Sequence, residues 1–509
     1  MEVLDIINNK GVRAGAIVSY IYMVVSIVVQ LIYVPLLLSS IGQDEYGLYQ
    51  LIGSIMAYIV SINGILAAGV GRYYCMYKAK DDAFMMENTL AIAKRMYWAM
   101  SALTLAIMVG VTAVFRFAYA SSFTPAQVNE CSAMLLVLGI NCVVTMNNAI
   151  NISVITANER FVFLKGSQII ALVVQPALVI FLAGLFPSAL TVTLVVLFMN
   201  VLCATAQRLY AKNVLKAKYA FHGWDWSLAR GLIGFSASII MVTLADQIFF
   251  KTDQLIVGYL FGAGPVAIYA VGAQIYAAYM SVGTAISSVF LPKVSSLYHH
   301  DHDMSAISGL FAKVGRLSLM VCLLVLGAFV VLGPDFMTLW AGDRYFDSYL
   351  IAVIVMVPFT IDLIQNLGLT ILQVIDKYYF RGAMYLAIAV LNVILTVILL
   401  NAVGLVGAAV STAIAMFVGN GVVMNWYYKF KVGLDIDGFW RQMIPIVLPT
   451  ALLVAFFASF YWLLPLPHAS WPIFIAAGFL WVVAYSSVLW KFSMNAYEKS
   501  LVRGLFHRS

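Results

Sequence analysis

Charge is what this sequence has least of. Only 10% of its 509 residues are Asp, Glu, Lys or Arg, where an ordinary soluble domain carries about a quarter. No polar block is long enough to build such a domain, which excludes a soluble multidomain enzyme. Cysteine is scarce as well. Cys75, Cys131, Cys142, Cys203 and Cys322 are scattered in or near apolar runs, with no CxxC and no Cys/His cluster. That implies neither a zinc motif nor a disulfide framework, and they read most simply as small core residues. No metal or other cofactor is called for. A GxxxxGK[ST] phosphate loop is also missing. GAGPVA (262–267) has the glycines but falls in a turn between apolar runs, so ATP hydrolysis is unsupported.

What is present is apolar. Hydrophobic residues make up 63% of the chain, and runs of about 20, each sufficient for one crossing, recur from end to end. Hydropathy and breakers predict an all-α polytopic membrane protein of about fourteen transmembrane helices, the first near 14–40 and the last near 472–490. The apolar run 14–38 is too long for a signal-peptide core and reads as the first membrane helix. Short turns such as IGQDEYG (41–47), LFGAGP (260–265) and NAVG (401–404) make antiparallel hairpins of their neighbours.

The net charge of +7 is a statement of topology. In this segmentation, 25 of the 29 Lys and Arg fall on one side, including Lys10, Arg13, Lys94, Arg208, Lys212, Lys293, Arg316, Arg381, Lys491, Lys499, Arg503 and Arg508. Only Arg116 and Arg344 fall on the other. The positive-inside rule then places both termini in the cytoplasm and the protein in the cytoplasmic (inner) membrane. A nucleic-acid surface is not implied. Two cations, Arg72 and Lys251, are left inside spans, together with Asp246, Asp253 and Asp362. Such residues are costly in a bilayer and by default face a bundle interior or a wet cavity.

Shifting the chain by 220 residues lays Ile41-Gly42 on Phe261-Gly262 and Leu48-Tyr49 on Ile268-Tyr269. At a shift of 217, ANERF (157–161) meets VIDKY (374–378). These echoes predict two six-helix lobes of like orientation, a parallel repeat. The expected division is an N-terminal lobe at 1–215, a C-terminal lobe at 216–430, and two additional helices with a cytoplasmic tail at 431–509. Two lobes invite alternating access to a path between them.

Polar residues recur at helical spacing. Asp362, Gln365, Asn366, Thr370 and Gln373 share one face of span 10 if that helix is regular, and Asn141, Thr145, Asn148 and Asn151 share one face of span 4. Hydrogen bonding between helices explains any single one of them; whole stripes suit contact with water. In DQIFFKTDQLIVG (246–258) the two aspartates are seven apart and share a face, while Lys251 points roughly 140° from Asp246 and lies between Gln247 and Gln254. A regular helix cannot easily pair Lys251 with either aspartate. Lys251 either makes an interhelical salt bridge or meets an anion in a cavity, where attraction far exceeds that in water. Arg72, six residues before Lys78, either lines the path or reaches to the headgroups beside Tyr73 and Tyr74.

VPLLLSSIGQDEYGLYQL (34–51), GVGRYY (69–74), TANERF (156–161) and TDQLIVGYLFGAGPVAIYAVGAQI (252–275) together resemble the polysaccharide transporter family, the O-antigen (Wzx-type) flippases. Their superfamily includes the lipid II flippase and the multidrug and toxin extruders. The resemblance implies a non-enzymatic flippase that moves a polyprenyl-diphosphate-linked oligosaccharide from the cytoplasmic to the outer leaflet for surface polysaccharide biosynthesis. A polysaccharide polymerase or glycosyltransferases are its implied partners beside the bilayer. It makes Arg72, Lys251, Gln247, Gln254 and Asn148 the expected substrate contacts, and Asp246, Asp253, Asp362 and Asn366 the expected lumen or ion-coupling residues. It also gives the last two spans a lipid groove. Two alternatives stay open. An ion-coupled exporter of organic cations would use the three aspartates. A membrane polymerase or ligase would need a site in an outer loop, such as 333–349 with Asp335, Asp343, Arg344 and Asp347.

Overall fold

The computed structural model describes residues 10–287, 291–298, 303–375, 377–463 and 470–506. Asp376 and Arg508, and the side chains of Lys10, Arg13, Lys293 and Tyr378, which enter the arguments above, lie outside what is described. Among the described residues there is no β-strand.

The first half folds as α1 (Lys10–Ile41), α2 (Gln43–Ala79), α3 (Ala83–Ala118), α4 (Pro125–Ala157), α5 (Phe161–Ala183), α6 (Ala189–Leu209) and α7 (Trp226–Phe261). Then come α8 (Ala263–Ser287), α9 (Met304–Trp340), α10 (Phe346–Ile364), α11 (Leu367–Val374), α12 (Tyr378–Val403), α13 (Val406–Met416), α14 (Ile436–Leu463), α15 (Trp471–Val488) and α16 (Ala496–Phe506). Among the described residues, twelve stretches are long and apolar enough to cross a membrane. The other two of the fourteen expected spans, α2 and α7, are 37 and 36 residues long but are not among the twelve. They are the helices that carry Arg72 and the Asp246–Lys251–Asp253 segment.

The short connections hold because each supplies its own backbone partners. Asp82 caps α3 by accepting from Met85 N at 2.9 Å, and Asp303 caps α9 by accepting from Ala306 N at 2.9 Å. Thr124 and Gln127 form a capping box at α4, with Pro125 in the first turn where no donor is needed. Single glycines in left-handed geometry join the tightest hairpins. Gly42 (φ 83, ψ 171) links α1 to α2, and Gly262 (φ 83, ψ −167) links α7 to α8. The two positions aligned by the 220-residue shift thus share one backbone conformation, which a side chain would strain.

The helices group into two units, Met1–Ala267 and Ile268–Ser509. In the first, α2 packs along α7, α1 along α5, and α4 against α2, α3 and α6. The α2–α7 seam is close because it is built on glycine, as membrane helices often are. A Cβ on Gly69 would lie 2.5 Å from the Leu232 carbonyl oxygen, and one on Gly258 would lie 2.8 Å from a Leu51 methyl. Ser54 Oγ donates to Gln254 Oε1 across this seam, and Tyr58 OH pairs with Thr252 Oγ1 at 2.6 Å. Gly69→Val is therefore expected to push the helices apart at about 1–3 kcal/mol. Gly53→Val, on the same helix but with open space around it, is the control. A thermal midpoint lowered by both equally, or by neither, would show that the seam does not depend on close approach.

In the second unit α9 packs against α10, α14 and α15, and α13 against α10 and α12. Two cations placed at a membrane face by the sequence are buried here. Arg316 is 5% exposed and donates to both carboxylate oxygens of Glu498 at 2.6 and 2.9 Å, to Ser493 O at 2.8 Å and to Gln442 O. Arg381 is likewise buried and lies 3.5 Å from Asp362. Lys251 is thus not the sole cation held among the helices. The other two escape a hydropathy reading because each sits near the end of its apolar run and finds its acid elsewhere in the chain.

Candidate functional site

The most built polar cavity lies within the first unit, with a volume of about 580 Å³. α3 gives Lys94 and Trp98, one turn apart. α4 gives Asn147, Asn148 and Asn151 from its polar face. α6 gives Thr205 and Arg208, the turn after it Lys212, and the connector before α7 gives Tyr219. Residues 205, 208 and 212 are spaced three and four, so the helical register of α6 and its continuation aligns them.

The floor is a chain of hydrogen bonds. Tyr219 OH donates to Asn151 Oδ1 at 2.8 Å, Asn151 Nδ2 to Asn148 Oδ1 at 3.1 Å, and Asn148 Nδ2 to Gln207 Oε1 at 2.7 Å. Gln207, 1% exposed, continues to Ser167 Oγ at 3.1 Å. Beside it, Asn147 Nδ2 donates to Ser101 Oγ at 3.0 Å. The stripe on α4 is therefore both interhelical glue and cavity lining. The rim is cationic and aromatic. Lys94 Nζ lies 5.7 Å from the centre of the Tyr219 ring, and Trp98, Arg208, Lys212 and Thr205 are exposed. The connector that delivers Tyr219 is itself fastened: Arg95 stacks on Phe221 at 3.5 Å, and His222 N donates to Asn88 Oδ1 at 3.0 Å. A pre-ordered amide floor with three cations and two aromatic faces at its edge suits a ligand that is anionic at one point and rich in hydroxyls elsewhere.

Of the residues expected from sequence, this cavity gathers Asn148. Lys251, Gln247 and Asp246 are half-buried on α7, and Asp253 is buried. Among the described residues Lys251 makes no ion pair; helical angles separate it from Asp246 and Asp253 on its own helix, and no acid of another helix pairs with it there. Gln254 is buried in the α2–α7 seam, where it takes the Ser54 hydroxyl. Arg72 is exposed on α2. Asp362 is held beside Arg381, which also reaches Tyr385 OH at 3.1 Å. The stripe on span 10 is interrupted: the helix ends at Ile364, resumes at Leu367, and Asn366 sits in the break. Gln365, buried there, donates to Asn425 Oδ1 at 2.9 Å, which is packing rather than lining. Asp335 is buried and accepts from Tyr461 OH, so it is not part of a solvated loop. Lys94, Trp98, Arg208, Lys212 and Tyr219 went unrecognised because the cations read as topology. The 3–4 spacing of Thr205, Arg208 and Lys212 was the available signal.

The second unit holds an apolar groove of about 440 Å³ between α9 and α15, lined by Phe329, Phe336, Phe474, Gly478 and Trp481 among others.

The helical architecture of this chain recurs in solved structures. The chain is similar to the lipid II flippase MurJ in its inward closed conformation, at 15% identity and a TM-score of 0.68, covering 94% of this chain and 98% of that one. It is also similar to an inward-facing multidrug resistance MATE family transporter of the MOP superfamily, at 13% identity and a TM-score of 0.65, covering 82% and 96%. At such identities the likeness is one of fold. The profile described as "Polysaccharide biosynthesis protein" matches residues 37–350, more than half of the chain, and the chain belongs to that family. A relative in Shigella flexneri described as "Putative O-antigen transporter" is 20% identical over 254 residues, which are 50% of this chain and 58% of the relative. The chain therefore matches less than two thirds of that relative's length.

Proposed function

We propose that this protein is a flippase that carries a polyprenyl-diphosphate-linked oligosaccharide from the cytoplasmic to the outer leaflet of the inner membrane by alternating access of two six-helix lobes. The observation that carries this reading is the cavity of the first unit. Lys94, Arg208 and Lys212 suit the diphosphate, and the Asn147–Asn148–Asn151 floor with Trp98 and Tyr219 suits the sugars. The family and the flippase relative support the same class of cargo. Exposed Trp98, Val201 and Thr205 leave the cavity open at the side of the unit, so the prenyl tail can stay in lipid while the head binds. The apolar α9–α15 groove is a second surface for that tail. Lys251 is the next cation for the diphosphate, on a helix with no acid able to satisfy it. The cation-rich side is then cytoplasmic, with both termini there.

The test is binding by the full-length protein in nanodiscs. A polyprenyl-diphosphate oligosaccharide is expected to bind more tightly than the free oligosaccharide or the free polyprenol. Lys251→Ala is expected to weaken it by about 10-fold or more, the worth of one charge-assisted hydrogen bond, and Lys251→Arg to retain it. Binding unaffected by Lys251→Ala would remove Lys251 from the path and leave the cavity. A second reading has its own observation: Asp246 and Asp253 share a face of α7, and the fold is common to multidrug transporters. Saturable binding of organic cations that both Asp→Asn variants abolish, without binding of the lipid-linked glycan, would favour it.

A further inference from the structure

The C-terminal corner of the chain holds a second polar site, independent of the cavity in the first unit. α16 begins with a capping box: Glu498 N donates to Asn495 Oδ1 and Asn495 N to Glu498 Oε2, both at 2.9 Å. Glu498 is at the same time held by Arg316 on α9. The acid of this helix is thereby turned inward and neutralised, and α16 is pinned in place.

What faces outward is cationic. Lys499 and Arg503 lie 5.8 and 5.7 Å from the centre of the Trp490 ring, and Lys491 follows Trp490 directly. None of these three makes an ion pair among the described residues. A hollow of about 720 Å³ is lined by Ser486, Ser487, Trp490, Lys491 and Lys499. It continues along one face of α15. Phe479, Val483 and Ser486 are spaced four and three residues apart, so they stack on a single side, and Phe479 and Val483 are exposed; Trp490 follows in the π-helical turn after α15.

An apolar stripe leading into a cationic, hydroxyl-lined hollow matches an amphiphile. A soluble phosphate would satisfy the cations without using the stripe. A zwitterionic lipid would cover the stripe and bring its own positive group among the lysines. We infer that the α15–α16 corner is a binding site for an anionic phospholipid. Its phosphate diester is held by Lys491, Lys499 and Arg503, its acyl chain lies along Phe479 and Val483, and Trp490 sits at the boundary between them. The Arg316–Glu498 clamp makes this a fixed site, unlike a loose polybasic tail.

The full-length protein, equilibrated in detergent with equal amounts of phosphatidylglycerol and phosphatidylcholine, tests this by native mass spectrometry. Phosphatidylglycerol is expected to be retained in preference by at least about fivefold, the effect of one basic residue at a charged headgroup. The K491Q/K499Q/R503Q variant is expected to bind both lipids alike at an unchanged thermal midpoint, and K491R/K499R to keep the preference. Equal retention by the wild type, or a preference that survives the triple variant, overturns the proposal. Displacement by glycerol phosphate alone would make the site one for soluble phosphate, and displacement by polyprenyl diphosphate at equal concentration would make it a site for the transport substrate. Either result overturns the assignment to phospholipid.

Discussion

The R208Q/K212Q variant is expected to lose affinity for a polyprenyl-diphosphate oligosaccharide by on the order of 100-fold or more, read by titration of the protein in nanodiscs. Each cation facing a phosphate contributes about 1.5–3 kcal/mol through charge-assisted hydrogen bonds, and every 1.4 kcal/mol is a factor of ten. Both side chains are exposed at the cavity rim, so their exchange should leave stability within about 0.5 kcal/mol. R208K/K212R keeps the charge and should bind nearly as well, which separates binding from any effect on membrane topology. The floor behaves differently. Asn148→Leu removes the donor to Gln207 Oε1, on a side chain 1% exposed, and a buried acceptor left unpaired costs about 1–3 kcal/mol. Loss of binding in the rim variant without loss of stability, and loss of both in the floor variant, is the pattern the cavity predicts. If the rim variant binds like the wild type, the cavity is not the head-group site.

The largest stability effect is expected at Arg316. Arg316→Met leaves the Glu498 carboxylate buried without its cation, and Glu498→Leu leaves the guanidinium in the same position. Breaking one side of such a pair costs about 3–5 kcal/mol. Replacing both with apolar residues removes the desolvation penalty along with the attraction, so R316M/E498L should recover most of the loss. Thermal midpoints of the two single variants and the double variant measure this. If the double variant is as unstable as the sum of the singles, the side chains act separately and the clamp is not a unit.

The residues show how far the sequence could be read. Helicity, length and hairpin glycines were legible because they are local. Gly42 and Gly262 stand out as turn residues, and both adopt the left-handed link that the aligned hairpins call for. The separation of Lys251 from Asp246 and Asp253 was also legible, since helical angles alone set it. Partners contributed from distant helices were not legible. Arg316 meets Glu498 across 182 residues, and Gln365 meets Asn425 across 60, so both were read from local position as a facial cation and part of a polar stripe. The break at Gln365–Asn366 ended the regular spacing on which that stripe relied. The cavity was half visible. Its asparagines lie on one helix at regular spacing, but its cations come from α3, α6 and a turn, and only folding brings them to the same rim.

The most direct measurement is leaflet translocation in proteoliposomes, with a polyprenyl-diphosphate oligosaccharide supplied in one leaflet and its arrival in the other followed by lectin capture. If the cavity is the head-group site of a flippase, the wild type moves the glycan and R208Q/K212Q does not. Absence of movement by the wild type, together with proton-linked efflux of organic cations lost on changing Asp246 and Asp253, would contradict it.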